Sequence, residues 1–259
     1  KRKFYYLCEN QGWERSFLHS INKKINKVYP IIYTPIRFWD LRFSTHTFEK
    51  KKFLSKITKI CVMSKFSKLQ LIRNDYPIKK IKIVEALRYE SYKKINFKKF
   101  EKNKYHKKIL IIGDVYEKSN NQLEEYILKL KDSKNLKFTA KPHPNKNFSK
   151  KFFNQKNINI KTDSILELAK KNDIAICSNM TAASYDLLYL GIPTYIFLSG
   201  DGIDFSPIKN IVDSNYLYDF EDLNKKLKYK KKYNNTMFKK NAFLFDKNYK
   251  SWKEIILND

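Results

Sequence analysis

Glycine is scarce in this 259-residue sequence, with five residues in all. No G-x-G-x-x-G turn can be assembled from them, and no Walker-type lysine loop is present, which argues against a dinucleotide-dependent dehydrogenase and a P-loop enzyme. Cysteine is scarce too. Cys8, Cys61 and Cys177 are odd in number, far apart and without metal-ligand spacing. Each lies in or beside an expected buried strand, so they read as reduced core thiols of a cytoplasmic protein. No apolar run approaches the roughly 18–20 residues that span a bilayer. The opening "KRKFYYLCENQ" has neither an initiator Met nor a signal-peptide core and enters a strand at once; the first domain is expected to be incomplete at its start.

Arginine is the third scarcity. Of 54 basic residues only six are Arg, against 26 acidic residues and a net charge of +28. Abundant Lys, Asn, Ile, Tyr and Phe are what an AT-rich genome supplies, with lysines spread over solvated faces. No basic block is interleaved with regularly spaced aromatics, so charge alone does not make a nucleic-acid protein. An anionic membrane surface is the better partner for such a charge, since each Lys near it gains about 1 kcal/mol. Where Lys is the default cation, each Arg points to a bidentate or stacked contact that Lys cannot make.

The 42% hydrophobic and 15% aromatic content is ample for a core. Strand and helix patterns alternate: "KFYYLCE", a helix from Gly12, "KVYPIIYTP", "KITKICVMS", a helix from Lys65, and "IKIVEAL". After a charged stretch without apolar period a second series begins with "KKILIIGD". Such alternation means parallel strands with helical crossovers. The expected architecture is α/β, two Rossmann-like doubly wound domains facing across a cleft. Residues 1–92 form the first, 93–106 a linker, 107–235 the second, and 236–259 closing helices.

Ligands of such sheets bind beyond the carboxyl ends of the strands. There the second half offers "KFTAKPHPNK", with His143 held extended between Pro142 and Pro144. A ring fixed at that place can donate to an anionic oxygen with no ordering cost during reaction; the alternative is a loop histidine flanked by turn-forming prolines. Farther on, Ser178 and Asn179 end a strand and a helix opens beside Thr181 and Ser184. This is either an anion site or an ordinary helix cap. In the first half Glu9 ends a strand and Glu14 lies a turn into the next helix; either could act as a general base toward a hydroxyl, or Glu14 could complement the helix dipole. Arg37, Asp40 and Arg42 flank Phe38 and Trp39, and either the arginines grip an anionic substrate group or an Arg–Asp pair packs on Trp39. Arg88 faces the same choice. Asp204, Ser206 and Pro207 follow the Gly200–Gly202 turn and are expected to close over a ligand.

The Lys141-Pro-His-Pro element, the Ser-rich strand-to-helix junction and the following Gly-Ile-Pro resemble the donor half of a GT-B glycosyltransferase. More narrowly, they resemble the bacterial sialyltransferases and Kdo transferases that use CMP-activated acidic sugars. That resemblance implies that an "HP" motif (His143, Pro144) and a Ser/Thr motif (Ser178, Asn179, Thr181) hold the phosphate of CMP. "CENQGWER", "RFWDLRF", "EALRYE" and "GDGIDFSPI" resemble motifs of surface carbohydrate biosynthesis proteins. Where sialyltransferases carry a D/E-D/E-G loop with the catalytic base, this chain has Glu9-Asn10-Gln11-Gly12.

The resulting expectation is a metal-independent transferase that needs no cofactor and moves an acidic sugar from a CMP-sugar to a glycan or lipid-linked glycan on the cytoplasmic face of a membrane. Glu9 and His143 are its catalytic residues. Lys141, Pro144, Ser178, Asn179, Thr181, Gly113 and Ser206 bind the donor; Gln11, Glu14, Arg37, Asp40, Arg42 and Arg88 bind substrate. The rivals are a CDP-glycerol-type polymer transferase and a non-catalytic scaffold of the same fold.

Overall fold

A computed structural model describes residues 2–21, 25–95, 108–130, 136–199, 203–209, 211–212, 215–228 and 236–258. The expected linker 93–106 lies largely outside them; Lys93 and Lys94 end a 3-10 stretch that runs from Leu87. In chain order the elements are β1 (Arg2–Leu7), α1 (Gly12–Ser20), β2 (Ile25–Ile32), α2 (Thr47–Lys52), β3 (Ile60–Val62), α3 (Lys65–Arg73) and β4 (Ile81–Ile83). There follow β5 (Lys108–Ile112), α4 (Glu117–Leu130), β6 (Lys137–Lys141), α5 (Lys150–Phe153), β7 (Ile158–Ile160), α6 (Ile165–Lys171), β8 (Ile174–Cys177), α7 (Ala183–Leu190), β9 (Thr194–Phe197), β10 (Tyr216–Leu217), α8 (Phe220–Lys228), α9 (Thr236–Ala242) and α10 (Lys250–Lys253). They divide into two compact units: Lys1–Ile36 with Asp40–Ile95 and Lys239–Asp259, and Arg37–Trp39 with Asn96–Phe238.

The first unit holds a four-stranded parallel sheet in the order β1-β2-β3-β4. Right-handed crossovers that always step the same way put their helices on one face. That face carries a core of Tyr6, Leu18, Val28, Ile32, Val62 and Leu71. The opposite face is covered by the C-terminal segment, where Trp252 and Ile255 pack on Tyr29, Cys61 and Val84. Glu85, buried just beyond β4, fastens this segment: its carboxylate accepts from the Ser251 and Trp252 amides at 2.9 and 3.1 Å, and its carbonyl accepts from Trp252 Nε1 at 2.9 Å. The two amides open α10, whose own N-cap supplies no side-chain bond. Residues 239–259, expected as closing helices, thus belong to the first unit.

β2 runs through Pro30, which is paired with Tyr6 of β1. Val28 bonds sideways to Thr58, and β3 joins only at Ile31 and Ile32, so the missing proline N–H points where no ladder needs it.

The second unit is a six-stranded parallel sheet in the order β10-β9-β8-β5-β6-β7. The chain starts in the middle, winds outward through β6 and β7, then returns to the other side of β5 with β8. This reversal makes the sheet doubly wound and places its switch point between the ends of β5 and β8. β5 is buried at four successive positions, which is why "ILII" is continuously apolar and does not alternate. On one face Ile109, Ile111, Phe138 and Ile176 pack against Leu123, Ile127 and Leu130 of α4 and Phe152 of α5.

Candidate functional site

The switch point is organised by a residue that the sequence reading did not single out. Asp114, directly after β5 and 2% exposed, accepts from the Ser178 hydroxyl, from Met180 N at 3.3 Å and from Tyr116 N at 2.7 Å. Its own amide donates to Asn120 Oδ1 at 2.9 Å, and Asn120 Nδ2 returns a bond to its carbonyl at 2.8 Å. A buried carboxylate survives desolvation only when donors face it, and three do. The ends of β5 and β8 are thereby tied together.

The other residues expected on the donor side have partners of their own. Ser178 gives its hydroxyl hydrogen to Asp114 and its amide to Ile112 O at 2.8 Å, so neither is open to a ligand. Asn179 holds the 203–205 loop, donating to Ile203 O at 2.6 Å and accepting from Phe205 N at 3.2 Å. The Lys141 ammonium reaches Thr162 O and Asp163 O at 2.9 and 2.8 Å, and partial burial holds its pKa below the usual lysine range. Gly113 serves close packing: a Cβ there would stand 3.0 Å from both Asn120 Oδ1 and a Phe148 ring carbon. Its amide bonds Lys141 O at 3.1 Å. Ser206 is fully buried and turns its own loop, accepting from Ile208 N at 3.3 Å. Gly200, Asp201 and Gly202 lie outside the described residues.

Among the described residues, two donor groups remain at this edge. His143, half-buried at the end of β6 and followed by the exposed Pro144, accepts at Nδ1 from Asn145 N at 3.1 Å. A neutral imidazole that accepts at Nδ1 carries its proton at Nε2, so the backbone fixes both ring orientation and tautomer. Thr181 Oγ1 accepts from Ala183 N at 3.4 Å, which leaves its hydroxyl hydrogen to donate. Helix α7 begins after Ala182, which provides no side-chain cap. Its first amides are already engaged, Ala183 N by Thr181 Oγ1, Ser184 N by Thr181 O at 3.4 Å and Tyr185 N by Ala182 O at 3.0 Å, so the helix adds the positive end of its dipole and no free donor. His143 and Thr181 follow strands on either side of β5, two strand spacings or about 10 Å apart. Arg37, which belongs to this unit, donates from Nε to Met180 O at 3.0 Å; its anchor is thus the β8–α7 turn.

In the first unit Glu9 is exposed at the end of β1 and accepts from the Tyr33 hydroxyl at 2.8 Å. The Arg88 guanidinium lies over the Tyr33 ring, 5.2 Å from its centre. Glu14, by contrast, is buried, and its Oε1 accepts from the amides of Glu9 and Gln11 at 2.9 and 3.1 Å. Gln11 and Glu14 form the capping box of α1. Asn10, between them, takes a positive φ of 55° and donates to Arg42 O. Glu14 and Gln11 therefore shape the loop that presents Glu9. Arg42 is gripped by Asp40 through bonds of 2.8 and 2.7 Å, and its guanidinium lies over Phe43, 5.8 Å from the ring centre. The Arg–Asp pair is thus real, but Phe43 is its platform, and Trp39 is exposed.

No protein-family model matches the chain, and no curated protein matches it. Solved structures do. The UDP-GlcNAc 2-epimerase of Neisseria meningitidis bound to UDP-GlcNAc superposes with a TM-score of 0.57 at 16% identity, covering 98% of this chain and 84% of that one. The Methanocaldococcus jannaschii UDP-GlcNAc 2-epimerase with UDP-GlcNAc and UDP gives 0.54 at 14% identity, covering 88% and 77%. The S. aureus MnaA–UDP structure gives 0.53 at 9%, covering 94% and 76%. The fold is GT-B-like. At these identities the likeness concerns the fold, two Rossmann-like α/β units built on parallel sheets.

Within this GT-B-like fold, the residues that sequence reasoning missed share a signature. Asp114 is a carboxylate directly after a fully apolar strand, where a solvated aspartate would be unremarkable; its burial becomes visible only once β8 is known to lie beside β5. Tyr33 is one of 18 tyrosines. Only the pairing of β1 with β2 brings it to Glu9.

Proposed function

We propose that this chain is a nucleotide-sugar enzyme that holds the donor phosphate at the C-terminal edge of its second sheet and transfers the sugar to a hydroxyl acceptor. The observation that carries the reading is His143, with Nδ1 engaged by the Asn145 amide and Nε2–H left as a preset donor. Nε2–H and the Thr181 hydroxyl, aided by the dipole of α7, would share the charge that grows on the phosphate as the sugar–oxygen bond breaks. The acceptor oxygen forms the new bond to the anomeric carbon, its proton passes to a general base, and the nucleotide leaves with the electron pair. On the motif resemblance the donor is a CMP-sugar carrying an acidic sugar of the Kdo or sialic-acid kind. The acceptor is a glycan or lipid-linked glycan at the cytoplasmic side of a membrane.

A second reading, a UDP-sugar as substrate, is favoured by the fold neighbours, whose structures hold UDP-GlcNAc or UDP. Calorimetric titration with CMP, UDP, GDP and ADP separates the two. Selective CMP binding supports the transferase of acidic sugars, and selective UDP binding moves the chain to UDP-sugar chemistry. Absence of binding to all four overturns both and leaves a scaffold of the same fold.

A further inference from the structure

Three neighbouring elements of the first unit each put a large apolar side chain into solvent: Trp13 of α1 is 58% exposed, Leu41 71% and Phe48 of α2 60%. These elements are bound side by side. Asn10 donates to Arg42 O, next to Leu41; Arg15 of α1 pairs with Glu49, next to Phe48; and Thr45 donates its amide and hydroxyl to Asn74 O at 3.2 and 3.1 Å. Single exposed apolar residues are ordinary, but such a group on adjoining elements marks an interaction surface.

The charge around it selects the partner. Glu14 and Glu49 are buried, Asp40 is gripped by Arg42, Glu9 accepts from Tyr33 and Asp75 faces Lys50 at 3.9 Å. The Lys52 ammonium stands 5.1 Å from the centre of the Phe48 ring, so cation and aromatic face are presented together. Like-charged copies of a chain with net charge +28 repel one another, whereas an anionic surface attracts them. We infer that Trp13, Leu41 and Phe48, with Lys52, form a docking surface for an anionic lipid bilayer: the apolar side chains enter the headgroup region and the Lys52 ammonium meets a lipid phosphate. No helix among the described residues is long and apolar enough to cross a membrane, so attachment would be to the surface.

The inference stands apart from the nucleotide reading, and its test uses no nucleotide. The full chain is sedimented with vesicles of phosphatidylcholine alone and of phosphatidylcholine mixed with phosphatidylglycerol, at low and high salt. Binding to the mixed vesicles should be at least about tenfold tighter than to the neutral ones and should weaken with salt. Leu41→Ser and Phe48→Ser should each reduce it by about tenfold, in proportion to the apolar area withdrawn from the lipid. Leu41 is the more exposed of the two, and an unchanged circular dichroism spectrum and melting temperature of Leu41→Ser keep the test independent of folding. Failure of the wild-type chain to sediment with mixed vesicles overturns the inference. So does undiminished binding of both variants, which would reduce the effect to bare charge. A dimer that the same substitutions dissociate would assign the surface to a second copy instead.

Discussion

Tyr33 and Glu9, from adjoining parallel strands, meet in a hydrogen bond of 2.8 Å, with Arg88 stacked on the tyrosine ring. The bond ties the candidate base to a donor that is held in turn by a cation. It raises the Tyr33 pKa above the usual tyrosine value, with the Glu9 bond as the main cause and burial second; Arg88 opposes the rise.

A raised pKa in the folded state means that the protonated tyrosine stabilises the fold. That stability is fully present below the ordinary tyrosine value of about 10 and is lost as pH rises through the folded value. Tyr6, Tyr76, Tyr126 and Tyr216 are raised too, chiefly by burial, and act in the same direction. Urea midpoints of the wild-type chain should therefore fall above about pH 10. Tyr33→Phe should show a shallower fall, because one of the contributing groups is gone. Equal slopes would remove the Tyr33–Glu9 bond from the account of alkaline stability.

Glu85 should be the residue on which the C-terminal segment depends. Glu85→Ala leaves the Ser251 and Trp252 amides without their acceptors and should cost about 2–3 kcal/mol. Glu85→Gln keeps one acceptor oxygen and should cost less. Limited proteolysis gives the second readout: the segment near Trp252 should be cut sooner in Glu85→Ala than in the wild type. An unchanged cleavage pattern would mean that Trp252 and Ile255 hold the segment by apolar packing alone.

How much of this was legible beforehand depends on whether the physics was local. β5 and β8 announce themselves as short continuous apolar runs, and the His143 turn is written in its two prolines. Partnerships across the sheet are not local. Ser178 reads as a helix cap or a phosphate ligand until β8 is placed beside β5, after which Asp114 takes its hydroxyl. Glu14 is the opposite case: its bonds to the amides of Glu9 and Gln11 are local, and the Gln11-x-x-Glu14 spacing of a capping box carried the sign of them. Lys141 was drawn into the phosphate site by its neighbour His143, yet alternate residues of a strand and its exit can be claimed by different loops. The C-terminal segment carried an apolar pattern but no sign of which sheet it would cover.

The packing around Gly113 gives a stability prediction at the switch point. Gly113→Ala places a methyl group 3.0 Å from Asn120 Oδ1 and from Phe148, and should cost about 1–3 kcal/mol through overpacking. Asp114→Asn retains the shape but sets an amide NH₂ in place of one acceptor oxygen. If that group faces Ser178 and Met180 N, donor meets donor, and about 2–3 kcal/mol should be lost. Urea denaturation measures both. A wild-type midpoint in Asp114→Asn would show that the carboxylate charge contributes nothing to holding β5 and β8 together.

His143 provides the sharpest separation of site from scaffold. Its side chain is half-buried and bonds only within its own turn, through Asn145 N, so His143→Ala should leave the melting temperature within about 1 °C of wild type. Loss of one preorganised donor to a developing phosphate charge should nevertheless slow turnover of the nucleotide-sugar by about 10²-fold. His143→Gln can offer an amide N–H from a longer, freely rotating chain and should recover part of that loss. The order wild type, Gln, Ala in rate, at constant thermal stability, is what a phosphate donor at Nε2 requires. Equal rates in all three would return His143 to a turn residue and leave Thr181 to hold the phosphate alone.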